Sequence, residues 1–384
     1  MLSCGQSYGW ISENLGKEVF MRGRGLMGLG FIGLLLVLVF GIDGNIRAYA
    51  AKQVVVCNWG GNSAAFEKEC FYDPFEKETG IRVIMTSPPD VAKIKAQVDS
   101  GNIEWDVILT DIPAILTLTE GEKPYLEELD YSKIDPVLLA QVIPEVKQKY
   151  SLGARIYSFN IAYNTKTFKP GAHPKTWADV WDVKKFPGVR SFNNPYGGIT
   201  PQYEVFLMAD GVPPDKLYPI DVERAWKSID KLKPYINKWY KSHAEAVQML
   251  VNGETDIACT IGPRVIAEKW KGAAVDVEYN QGKLAADNWC IIKGSKNKEE
   301  AYKLINYIMD AKRQACLASK VPYGPSNREA VKYLDPKIAD DLNTSPKNLA
   351  KQTWQNVRWW VEKGPDGKTN RARSIERFNQ WLLK

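Results

Sequence analysis

Apolar positions in this chain alternate between short β-branched runs and stretches with apolar residues three or four apart, the two periods of strand and helix. Val54, Val55 and Val56 form the first run, which predicts a strand covered on both faces. Asn58-Trp59-Gly60-Gly61 breaks it. Glycines admit backbone angles closed to other residues, so the turn is expected to be tight, with amides that can face a ligand. Ser63 is expected to cap a helix whose buried side carries Phe66, Phe71 and Phe75, and Glu78-Thr79-Gly80 to end it. Ile81, Val83 and Ile84 begin the next strand. Such a unit requires a right-handed crossover and a parallel sheet. It puts Trp59 and Gly60 outside the carboxyl end of the first strand, where open α/β sheets bind ligands. Contact with a ligand is the expectation for Trp59, with simple packing as the alternative.

The two periods continue downstream. Val91, Ile94 and Val98 predict a helix ended by Ser100-Gly101, and Trp105 to Asp111 (WDVILTD) a third strand whose end, Thr110 and Asp111, forms a second rim of the crevice. Asp111 also fits the N-cap of a helix starting at Ile112-Pro113, and the two roles are compatible. Tyr157 to Tyr163 reads as a strand after an irregular stretch to Tyr150. Thr176 caps a short helix through Trp181, and Val189 to Phe192 is a strand. A loop rich in Asn and Gly leads to a helix with Tyr203, Glu204, Phe206 and Leu207. Helices are expected over Glu223–Lys233 and Ala244–Val251, strands over Thr255–Thr260 and Leu284–Ile292. Asn297 with Glu300 has the spacing of a capping box. The tail is helical and aromatic, with Trp354, Trp359, Trp360, Phe378 and Trp381.

The apolar run from Leu26 to Phe40 belongs to neither period. Arg22 and Arg24 precede it and Ala48-Tyr49-Ala50 follows, a basic, apolar, small-x-small order that predicts a secretory signal peptide within residues 1–50, with Met21 fitting a start. No cysteine follows the small residues, so no lipid anchor is expected. The run is shorter than the roughly 20 residues of a membrane span. Composition is globular, with 45% hydrophobic and 25% charged residues in 384, enough for a large core and two or more domains. The net charge of +6 is interspersed along the chain, which a solvated surface explains better than a nucleic-acid stripe. Beyond the leader, Cys57, Cys70, Cys259, Cys290 and Cys316 remain. An exported chain could oxidise some of them, and an odd number leaves at least one free. None is in a C-x-x-C pair, and small buried core residues are the expectation.

Catalytic signatures are missing. His173 and His243 are the two histidines and have no partners at motif spacing; no H-E-x-x-H, Walker or G-x-G-x-x-G pattern occurs. Neither a metal nor a cofactor is expected. An exported two-domain α/β chain without such equipment points to binding.

Asn58-Trp59, KETGIRVI, WDVILTD, the TWADVW helix, Asp287-Asn288-Trp289, NKEEAYKLINYI and PYGPSN together resemble the periplasmic solute-binding proteins of polyamine-type ABC importers, over nearly all of 52–384. The resemblance implies the type II periplasmic-binding-protein fold, two α/β lobes with mixed sheets joined by crossing strands. Lobe one would comprise 52–155 plus 288–327, and lobe two 156–287 plus 328–384. It implies a monomer in the periplasm that closes on a small amine or amino-acid solute and delivers it to an inner-membrane ABC permease. Trp59, Thr110, Glu204, Asp287 and Tyr323 fall near ligand-touching positions of the family.

One place departs from the polyamine pattern. Thr260-Ile261-Gly262-Pro263-Arg264 stands where polyamine binders carry a stacking tryptophan. An arginine aimed into the cleft repels a polycation and grips a carboxylate with two parallel hydrogen bonds; otherwise Arg264 is exposed on a loop. The expected solute is therefore polyamine-like, such as putrescine or spermidine, or an ω-amino acid such as γ-aminobutyrate. In the second case the carboxylate meets Arg264 and the ammonium Asp287, unless those two residues pair with each other. Two other classes stay open: an enzyme on this fold with Cys57 or Cys259 as nucleophile, and a sensor that delivers a solute to a membrane receptor.

Overall fold

A computed structural model describes residues 52–169 and 171–383; the expected leader, signal peptide and cleavage site lie outside the described residues. Among the described residues, no helix is long and apolar enough to cross a membrane. The strands are β1 (Gln53–Cys57), β2 (Arg82–Thr86), β3 (Val107–Asp111), β4 (Lys147–Gln148), β5 (Ser151–Asn164), β6 (Arg190–Asn193), β7 (Ile236–Tyr240), β8 (Ile257–Ile261), β9 (Val275–Ile291), β10 (Gly324–Pro325) and β11 (Thr353–Trp354). They form one mixed sheet in the order β2-β1-β3-β9-β5-β8-β6-β7, with β4 and β10 against β5 and β11 against β9.

Each half of this sheet repeats one plan. In the first, β1 lies parallel to both β2 and β3, and β9 runs antiparallel to β3. In the second, β6 lies parallel to β7 and β8, and β5 runs antiparallel to β8. β5 and β9 pair antiparallel from Leu152↔Trp289 to Asn164↔Val275, so the same two strands cross between the halves. Apolar clusters cover both faces of each half. Phe75, Trp289 and Ile305 belong to one face of the first half and Ile94, Ile108 and Cys290 to the other. Trp177, Phe206 and Trp381 lie on one face of the second half, and Leu250 and Val265 on the other. The β-branched run is covered on both faces as expected: Val54 and Val56 are fully buried on one and Val55 is half-buried against the other cluster, and full burial of such a side chain contributes about 1.5–3 kcal/mol.

The strand–helix–strand unit forms with β1 parallel to β2, but its helix starts earlier than expected. Gly61–Glu67 is helical with Gly60 at the N-cap, so Ser63 lies inside the first turn and caps nothing. A π-helical turn over Lys68–Tyr72 follows. The five-residue step from Phe66 to Phe71 is too long for an α-helical turn, and the wider π-turn keeps Phe66, Phe71 and Phe75 on the same cluster. Both crossing strands are longer than their patterns predict. β9 begins at Val275, where Val275, Val277 and Tyr279 alternate with half-buried polar residues. A bulge holding Gln281 at φ 60 interrupts that alternation before Leu284.

Two other expectations are corrected. Asn297 makes no capping box; its side chain donates to Asp106 Oδ2 at 3.0 Å instead. Cys70 and Cys316 are not simple core residues but a disulfide spanning 246 residues of sequence, which ties the π-helical turn to the helix Ala311–Ala318. Cys57, Cys259 and Cys290 are free and buried, as the core reading expects. Cross-linking so long a loop restricts the unfolded chain strongly. Cys70→Ser is therefore expected to lower stability by about 2–5 kcal/mol in urea unfolding, without displacing any cleft residue.

Candidate ligand-binding cleft

The carboxyl ends of β1, β3 and β8 and the crossing strands converge on a cavity of about 560 Å³. Trp59, Gly60, Asp111, Arg264, Asp287 and Tyr323 all line it. Trp59 is 43% exposed, a large apolar surface left open at the cleft wall. Gly60 holds φ 73, and a Cβ there would meet Ser87 Oγ at 2.9 Å, so only glycine fits. Its amide does not face the cavity as expected: it donates to Asn58 Oδ1 at 3.0 Å.

Asp111 is the cap foreseen for it and stands at the rim of the cavity. Its carboxylate accepts from the Ala114 amide at 3.0 Å as the N-cap of the helix Ile112–Thr119, and it borders the cavity. It also stands opposite Asp287 in the β3–β9 register. Burial pushes its carboxyl up to about 6, the Ala114 amide opposing that shift and the neighbouring Asp287 charge adding to it.

Thr110 and Glu204 do not line this cavity. Side chains alternate along a strand, so Thr110, next to Asp111, turns to the opposite face and is fully buried. Glu204 is buried in the second half, where Oε1 accepts from Tyr218 OH at 2.5 Å and Trp360 Nε1 at 3.1 Å. Burial raises its carboxyl pKa.

Arg155 was not foreseen, because nothing in its local sequence marks a lone arginine within an apolar strand. Its Nε donates to Asp287 Oδ2 at 2.8 Å and its Nη1 to Glu67 Oε1 at 3.1 Å, and Ser63 Oγ sits against Nη1. The guanidinium lies 4.7 Å from the Tyr323 ring centre. Burial opposes its charge, yet the two carboxylates outweigh burial and hold it protonated. The expected alternative of an Arg264–Asp287 pair does not form. Arg264 is exposed in the first turn of the helix Gly262–Trp270, and among the described residues it makes no ion pair. Behind it, the His243 ring lies 2.9 Å from Thr260 Oγ1. Burial, and next the Arg264 charge, lower its pKa to about 3, so it stays neutral.

A second cavity of about 430 Å³ shares Asp111 and Tyr157 as walls and extends along Leu284–Ala286 to Trp354 and Val357. The thiols considered as nucleophiles do not reach either space. Burial pushes Cys57 up to about 12 and Cys259 higher still, so both are protonated at neutral pH.

Two covered half-sheets sharing crossing strands, with a charged and aromatic cleft at the strand ends, define a solute-binding protein. Residues 71–346 match the family model described as bacterial extracellular solute-binding protein, and the chain belongs to that family. An ABC transporter substrate-binding protein from Bradyrhizobium japonicum, known from its crystal structure, matches with a TM-score of 0.74 and 38% identity, covering 84% of this chain and 99% of its own. The gamma-aminobutyric acid-binding protein of Pseudomonas aeruginosa is 29% identical over 355 residues, 90% of this chain and 96% of the relative. Spermidine/putrescine-binding periplasmic protein 1 of Haemophilus influenzae is 31% identical over 301 residues, 74% of this chain and 79% of the relative. The expected class, the solute-binding component of an ABC transporter, is thereby established.

A cation seated against Asp111 lowers that carboxyl's pKa below its free value of about 6. Affinity for such a cation is then full above that pH and falls as the carboxyl protonates, by up to about tenfold per unit. Calorimetry at about pH 5 and about pH 7.5 should show this loss. Asp111→Asn, which keeps a capping side chain, should remove the pH dependence.

Proposed function

We propose that this protein captures a small ω-amino acid, γ-aminobutyrate or a near analogue, for uptake through an inner-membrane ABC permease. The solute carboxylate binds Arg264, and its ammonium lies between Asp111 and the Asp287 oxygen that Arg155 leaves free. Trp59 and Tyr323 cover the methylenes between. The observation carrying this reading is the separation of charge: an arginine without an ion pair among the described residues on the second half, two carboxylates on the crossing strand and the first half. A zwitterion with its charges several atoms apart matches that arrangement, whereas a polycation meets Arg264 as a like charge. Similarity to a γ-aminobutyrate-binding relative supports the same solute. The polyamine reading rests on the cluster of carboxylates and on the polyamine-binding relative.

The two lobes close around the solute, and the protein works as a monomer in the periplasm after removal of the leader. The Cys70–Cys316 disulfide supports an oxidising compartment. Intact-mass measurement of the exported protein is expected to give a chain starting at Ala51; a product retaining 21–50 refutes cleavage there.

Titration of γ-aminobutyrate, putrescine and spermidine into wild type and Arg264→Ala tests the solute. Removing one member of a desolvated charge pair costs about 2–5 kcal/mol. Arg264→Ala is expected to weaken γ-aminobutyrate by that amount and to spare or improve the amines. Tight spermidine binding by wild type, with γ-aminobutyrate inert, overturns the reading.

A further inference from the structure

Beside the cleft the fold assembles a complete site for an organic cation. The carboxylates of Glu67 and Asp287 and the face of Tyr323 surround one point, and opposite charge plus an aromatic face is the combination that holds an ammonium group. The site is rigid. Glu67 is 1% exposed, and its Oε2 accepts from Asn58 Nδ2 at 2.8 Å and Tyr72 OH at 3.1 Å. Asp287 is held in the β3–β9–β5 ladder, directly opposite Arg155.

That site already has an occupant from the chain itself. Arg155 reaches Asp287 at 2.8 Å and Glu67 at 3.1 Å with its guanidinium 4.7 Å from the Tyr323 ring centre, and it is 6% exposed. It borders the cavity, while Glu67 lies behind it. Without its side chain, the carboxyl groups of Glu67, Asp287 and Asp111 would serve the cleft against the single cation Arg264, and Glu67, whose pKa burial raises and Arg155 lowers, would depend on a ligand cation to stay ionised. That balance suits a ligand with two ammonium groups. With Arg155 in place, one carboxylate is withdrawn from the cleft, a second is half engaged, and the position of a second ammonium is filled.

We propose that Arg155 is a built-in substitute for the second ammonium of a diamine and makes the cleft selective for solutes with a single ammonium. The proposal rests on the ω-amino-acid reading for the solute, and it adds the residue that sets the charge count.

The test is the ratio of putrescine to γ-aminobutyrate affinity, measured by calorimetry on the exported protein and its variants. Arg155→Ala vacates the cation site and is expected to raise the ratio about tenfold or more. Arg155→Lys returns a cation to it and is expected to bring the ratio back towards wild type. Glu67→Gln removes a carboxylate while keeping Arg155, and is expected to lower the ratio. This variant carries the test even if Arg155→Ala does not fold. A merely structural role for Arg155 would weaken both ligands together and leave the ratio unmoved. A ratio that stays constant, or moves the same way in Arg155→Ala and Glu67→Gln, overturns the proposal whatever wild type prefers. If wild type prefers putrescine, the ω-amino-acid reading and the selectivity for a single ammonium both fall, even where variants that move the ratio in opposite directions show that Arg155 lowers diamine affinity.

Discussion

The buried guanidinium of Arg155 is the constraint from which the cleft follows. Removing a charge from water costs several kcal/mol, and only close, well-oriented partners offset it. Here the partners come from three separate places in the chain: Asp287 on β9, Glu67 on the helix after β1, and Tyr323 before β10. Satisfying one side chain therefore draws the first helix and the Tyr323 loop onto the paired β5 and β9. Loss of one partner leaves part of that charge uncompensated and is strongly destabilising.

The crossing strands turn that constraint into a binding geometry. Because β5 and β9 belong to both half-sheets, residues from each half meet at their shared middle. The first half supplies Trp59 and Asp111 from strand ends, and the second supplies Arg264 from the start of a helix. Neutral His243 beneath Arg264 leaves that guanidinium as the charge presented by this wall. The result is a cleft with opposite charges on facing walls, which a folded core could not tolerate but a solvent-filled space between two cores can.

Much of the architecture was legible in the chain because it depends on local patterns. Gly80 does end its helix in the left-handed conformation, and Thr176 does form a capping box with Asp179. Asp111 reads as cap and cleft residue from its position after one strand and before Ile112-Pro113. The misses also have local causes. Ser63 looked like a cap because its type and position fit one, but the helix is already entered at Gly60, and Ser63 meets Arg155 instead. Asn297 had the right spacing for a capping box, yet the buried Asp106, just ahead of β3 and 191 residues away, draws its side chain off.

The sequence by itself determined the fold class, the placement of the cleft at the strand ends, and Trp59, Asp111, Arg264, Asp287 and Tyr323 around it. Trp59 and Asp111 follow from periodicity, turn chemistry and the ends of strands, which are encoded within a few residues; the two-lobe fold type, Asp287 and Tyr323 follow from the resemblance to solute-binding proteins, and Arg264 from the one place that departs from the polyamine pattern. Only the tertiary structure decided which charges are free. Asp287 pairs with Arg155, 132 residues away, and Cys70 with Cys316, 246 residues away. Such partners are chosen by strand register and packing, and a charge has no local mark that tells a paired residue from a free one.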